Sequence, residues 1–139
     1  MGINWLGVIL AVVAGMIVAF LWYQTGPIAS AWEKLTGVTP ERIKPVRARS
    51  MLQLFITVII MALGLAVAIG LAAEATGSTS VWAALLVGLV MWVAFSASTL
   101  VQHNAFEMKP AKLTIINTGY QLVLFLVMAL VLGLLNGRV

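Results

Sequence analysis

Long apolar runs alternate with short polar segments along the chain, and that alternation predicts most of the architecture. Four runs, at 3–23, 51–73, 81–101 and 113–135, are apolar almost throughout. Each reaches the roughly 20 residues that an α-helix needs to cross about 30 Å of hydrocarbon. They predict an all-α polytopic membrane protein, a four-transmembrane-helix bundle forming a single integral membrane domain over 1–139. Strands are excluded, because an open sheet would leave backbone groups unpaired in lipid and the runs lack the alternation of a barrel strand. The segment after the first run predicts a short interfacial helix. Pro27 suits a first helical turn, Ile28, Trp32 and Leu35 recur at i, i+4 and i+7, and Gly37 is placed to end it. Thr39-Pro40-Glu41 is a second start signal, and Pro45 interrupts before the second span.

Composition agrees with this pattern. The chain is 63% hydrophobic and 9% charged, against about 25% charged residues in a soluble domain. The first run has no Lys or Arg ahead of it and is too long for a cleavable apolar region, so it is expected to stay as a span. Leu6 stands where a myristoylation signal needs Ser or Thr. Cysteine is absent, which excludes disulfides, thiolate metal sites and a thiol nucleophile.

Charge sets the expected orientation. Segment 24–50 carries Lys34, Arg42, Lys44, Arg47 and Arg49 against Glu33 and Glu41; 74–80 carries only Glu74; 102–112 carries Lys109 and Lys112 against Glu107. Lys and Arg favour the cytoplasmic side, so loops 24–50 and 102–112 are expected inside and both termini outside, with Arg138 as a contrary charge. Trp5 and Trp82 then fall near the outer boundary, and Trp22, Tyr23 and Trp32 near the inner one. Topology and anionic membrane lipid account for the net charge of +4, so no nucleic-acid partner is expected.

Small residues recur four apart on every span: Gly7, Ala11, Gly15 and Ala19; Ala62, Ala66 and Gly70; Ala84 and Gly88; Ala129, Gly133 and Gly137. Such faces let helix backbones approach closely. Packing within one bundle explains most of them. The first exceeds what one neighbour needs, and is expected to be a helix–helix interface open to a second copy of the chain or to another membrane protein.

Polar side chains gather at one depth. Asn117, Tyr120 and Gln121 share a face of the fourth helix at i, i+3 and i+4; Trp92, Ser96, Thr99 and His103 share one of the third at i, i+4, i+7 and i+11; Gln53 and Thr57 lie level with them on the second, and Ser98 lies beside Thr99. Polar groups facing lipid are costly, so these faces are expected to look inward, as interhelical glue or as a pocket for a lipid-like or small polar ligand.

The stretch HNAFEMKPAKLTIINTGYQLV, preceded by WVAFSASTL and by WYQTGPIASAW, resembles the bacterial "domain of unknown function 1761" family of small four-span membrane proteins. The matching positions are Trp22, Tyr23, Pro27 and Trp32, then Asn104, Phe106, Glu107, Leu113, Ile116, Asn117, Gly119 and Tyr120, and the similarity covers nearly the whole chain. In the family a Ser-Pro pair commonly follows the Trp-Tyr, whereas here Gln24-Thr25-Gly26 intervenes before Pro27, and His103 matches no family position. The resemblance implies a four-span fold and a bacterial inner-membrane address, and carries no established activity.

Catalysis is not expected. His103 and Glu107 are four apart, but the chain has one His, no Cys and no Asp, and no triad, phosphate loop or dinucleotide fingerprint. No metal or cofactor is therefore expected. The expectation is a membrane protein acting by interaction, as a homo-oligomer or accessory subunit. The alternative is a component of a transporter or channel, though not a proton antiporter, since Glu33, Glu41, Glu74 and Glu107 all map to loops or their edges.

Overall fold

The computed structural model describes residues 2–135, and every regular element among them is helical. Helix α1 (Trp5–Gln24) is N-capped by Asn4, whose Oδ1 accepts the Gly7 N–H at 3.0 Å. The other end of the same amide donates to the Leu135 carbonyl at 2.9 Å, so one side chain both starts α1 and ties it to the end of the last helix.

The segment after α1 follows its start and stop signals. Gly26 (φ 81°) turns the chain, and α2 (Gly26–Thr36) runs to Gly37 (φ 69°), whose N–H closes on the Glu33 carbonyl at 2.8 Å. Thr39 caps α3 (Pro40–Ile43) by accepting from Arg42 N, and a 3₁₀ turn (Lys44–Val46) around Pro45 leads into the 30-residue α4 (Arg47–Thr76). After a turn at Gly77, the third span comprises α5 (Val81–Met91), a π-helical segment (Trp92–Ala97) and α6 (Ser98–Phe106). Helix α7 (Ala111–Leu135) ends the fold. Four continuous helical stretches, Trp5–Gln24, Pro40–Thr76, Val81–Phe106 and Ala111–Leu135, are long and apolar enough to cross a membrane. Arg138 and Gly137 lie outside the described residues.

Helix α7 is the centre of the bundle and packs against α1, α4 and α5. Leu124 and Met128 are fully buried, together with Val58 and Leu65 of α4. Helix α4 turns Val58, Ala62, Leu65 and Ile69 inward, at i, i+4, i+7 and i+11. Gln53 and Thr57 are consequently on its exposed side, contrary to the inward position their depth suggested. The Thr57 hydroxyl is satisfied by the carbonyls of Gln53 and Leu54 on its own helix, which removes the penalty for facing outward.

The small-residue faces are helix–helix contacts inside the bundle. Gly7, Ala11, Gly15 and Ala19 are all buried. A Cβ at Gly15 would stand 3.0 Å from Leu124, 3.1 Å from Val58 and 3.3 Å from Met128, so this face is closed by α4 and α7. That corrects the expectation of an intermolecular contact there: α1 meets two neighbours along this face, which is why it needs so many small residues. Ala84 and Gly88 of α5 oppose Gly133 and Ala129 of α7 in antiparallel register, with a Cβ at either glycine only 2.8 Å from the facing alanine Cβ.

Candidate functional site

The polar side chains come together at the end of the bundle that carries α2, α3 and the α6–α7 turn, here the basic end. Trp22 and Tyr23 close α1 and engage α7 differently. Trp22 lies across Gly119, where a Cβ would come within 3.4 Å of the indole. The Tyr23 hydroxyl donates to Asn117 Oδ1 at 2.7 Å. The Tyr23 ring makes edge contacts with Tyr120 (4.9 Å between centroids) and with Trp32 of α2 (5.1 Å), so α1, α2 and α7 meet in one aromatic corner around an amide.

A second set of bonds joins the third span to α7. Trp92 Nε1 donates to the Thr118 carbonyl at 2.9 Å, and Asn104 Nδ2 donates to Thr114 Oγ1 at 3.0 Å. The Asn104 carbonyl accepts from Lys109 N at 2.9 Å, and Met108 takes a left-handed conformation (φ 54°) in the tight turn this closes. Asn104 is only 4% exposed and is the buried polar residue among those described. Outside the membrane-spanning helices, the exposed Glu107 carboxylate meets Lys109 at 2.8 Å, and that bond holds its pKa below the usual carboxylate range.

The expected face of the third span is only half realised. Trp92 points to α7, but Thr99 and His103 are exposed, Ser96 is half-buried, and the hydroxyls of Ser98 and Thr99 bond back to the carbonyls of Ala94 and Phe95. The π-helical segment is the cause. It inserts one residue relative to α-helical register, so the inward stripe runs Trp92, Ala97, Leu100, Asn104 instead of Trp92, Ser96, Thr99, His103. On α7, Asn117 and Gln121 are half-buried and Tyr120 is 5% exposed. Of the residues the sequence singles out, Asn117 and Trp92 bond between helices and Tyr120 packs on Tyr23, while Tyr23, Asn104, Thr114 and Thr118 are bonding partners the sequence does not single out as such. The Asn104–Thr114 pair had one available signal, an amide and a hydroxyl ten residues apart across the Pro110 turn.

Asn104→Leu, which keeps the volume and removes the donor, is expected to lower stability by about 1 kcal/mol in thermal unfolding. The same substitution combined with Thr114→Val is expected to cost less than the sum of the two single changes. Strict additivity would mean that the bond does not bind the third span to α7.

This fold and polar corner define the class: a four-span α-helical membrane protein whose helices are joined at one end by aromatic and amide contacts. The family profile described as "Protein of unknown function (DUF1761)" matches residues 6–133, and the chain belongs to that family. Comparison with curated proteins gives no match, and comparison with solved structures gives none either.

Proposed function

We propose that the protein acts by binding and not by catalysis. In this reading it is a bacterial inner-membrane protein, working as a homo-oligomer or accessory subunit, and the Tyr23–Asn117–Tyr120 corner holds a lipid-like or small polar molecule. One observation carries the proposal. The Tyr120 hydroxyl and Asn117 Nδ2 project from one face of α7 without a hydrogen-bond partner among the described residues, and neither atom is sealed from the surface. A tyrosine this deeply placed ordinarily finds a partner for its hydroxyl, and polar groups in a membrane seldom face bare hydrocarbon. A ligand with two acceptors, one for the Tyr120 O–H and one for Asn117 Nδ2, would complete both. Gln121, also half-buried, and Ser96 stand near the same depth and are secondary contacts in this reading, whereas the exposed Thr99 and His103 drop out of it.

The transporter alternative gains less support. The four carboxylates lie on α2, on α3, in the last turn of α4 and in the α6–α7 turn, and all are exposed. None occupies the mid-membrane position that proton-coupled exchange ordinarily uses. The distribution of Lys and Arg favours the basic end as cytoplasmic, with the termini outside.

Native mass spectrometry of the protein extracted from its own membrane in mild detergent tests the binding reading. The expected result is a recurrent extra mass that disappears in Asn117→Leu/Tyr120→Phe while the variant remains folded. If the folded variant loses none of the masses that wild type carries, the corner is not the site. For topology, a reporter fused after Val139 should be active only outside; activity only in the cytoplasm would invert the orientation.

A further inference from the structure

We propose that a crevice between α1, α2 and α7 seats one anionic phospholipid, with an acyl chain in the crevice and the phosphate directed to Lys34. This site is distinct from the Tyr120 corner. Leu21 and Trp22 of α1, Thr25 between α1 and α2, Pro27 and Ile28 of α2, and Val123 of α7 line this open crevice of about 240 Å³. That is smaller than the roughly 300 Å³ at which pockets for whole small molecules begin, and the walls are almost wholly apolar, so a length of hydrocarbon suits it. Its α1 and α7 walls belong to two of the apolar spanning helices, so membrane hydrocarbon is what surrounds it.

Two further observations make the occupant amphiphilic and anionic. First, Trp22, which lines the crevice, buries its Nε1 without an acceptor, and it is the one buried side-chain polar atom so placed among the described residues. A bare chain cannot satisfy an indole N–H, but the ester carbonyl at the head of a phospholipid chain can, after a small rotation of the half-buried ring. Second, Lys34 lies seven residues after Pro27 on α2, hence on the same helix face and about 10 Å along it. Lys34 is exposed and has no carboxylate partner among the described residues, leaving its ammonium to a phosphate. A second crevice, between α1 and α4 and of about 340 Å³, is lined by Val13, Met16, Phe20 and Phe55 and their apolar neighbours; no polar side chain lines it, and it serves as an internal control.

The test is native mass spectrometry of the whole protein in bilayer discs containing equal phosphatidylglycerol and phosphatidylcholine. Wild type is expected to retain one phospholipid, with phosphatidylglycerol favoured about fivefold, the preference expected of one basic residue near the headgroups. Val123→Trp, which fills the crevice, should abolish retention, while Phe55→Trp in the control crevice should not. Lys34→Gln should keep the lipid and lose the preference. Asn117→Leu/Tyr120→Phe should change neither, so failure of the corner reading and failure of this one are separately visible. If Val123→Trp does not fold, Leu21→Trp narrows the same space. Retention of the lipid by a folded crevice-filling variant, an unchanged preference in Lys34→Gln, or a wild type without phospholipid each overturns the proposal.

Discussion

Gly88→Leu is expected to prevent stable assembly of α5 on α7, and even Gly88→Ala is expected to cost about 1–3 kcal/mol. A Cβ at position 88 would stand 2.8 Å from Ala129 Cβ and 3.2 Å from the Phe125 carbonyl oxygen. Neither neighbour is the flexible end of a side chain, so relief requires the two helices to separate. Helix propensity works the other way, favouring alanine over glycine by up to about 1 kcal/mol, and is outweighed by a contact this tight. Ala129→Gly removes the atom that Gly88→Ala meets. The double variant should therefore recover most of the loss, with a coupling of about 1 kcal/mol or more in thermal unfolding. Gly64→Ala on α4 is the control: a Cβ there meets nothing within 4 Å, so stability should hold or rise slightly. Equal melting of Gly88→Ala and wild type would show that α5 and α7 do not approach this closely.

That contact was legible in the sequence as a pattern, though not as a pairing. Small residues four apart on α5 and α7 announce close packing, but only the fold shows Ala84 facing Gly133 and Gly88 facing Ala129. The segment between the first two spans was legible in detail, because Pro27, Gly37, Thr39 and Pro45 act through local backbone geometry. The polar site was less legible. Trp92–Ala97 contains no Pro or Gly to mark a change of register, so the π-helical segment could not be anticipated, and with it went the exchange of His103 for Asn104 on the inward stripe. Position alone marks Tyr23 as a boundary aromatic, because its partner Asn117 lies 94 residues away and a bond over that distance follows from helix pairing and not from spacing.

Gly15→Leu separates the two uses that a small-residue face can have. If the face of Gly7, Ala11, Gly15 and Ala19 met another molecule, the substitution would change stoichiometry and leave the isolated chain folded. The geometry gives the opposite expectation. Position 15 is closed on three sides by Leu124, Val58 and Met128, which belong to α7 and α4. A single methyl at 3.0–3.3 Å from side-chain ends can be absorbed by small rotations of those chains, so Gly15→Ala should stay within about 1 kcal/mol of wild type. Leucine adds three more carbons where no space exists, and is expected to lower stability by about 3 kcal/mol or more. The loss should be independent of protein concentration, since it arises within one chain. Because Leu124 and Tyr120 lie one turn apart on α7, displacement at position 15 should also loosen the Tyr23–Tyr120 contact. A Gly15→Leu protein that melts like wild type but changes subunit number would return this face to intermolecular use, and would require α1 to sit differently against α7.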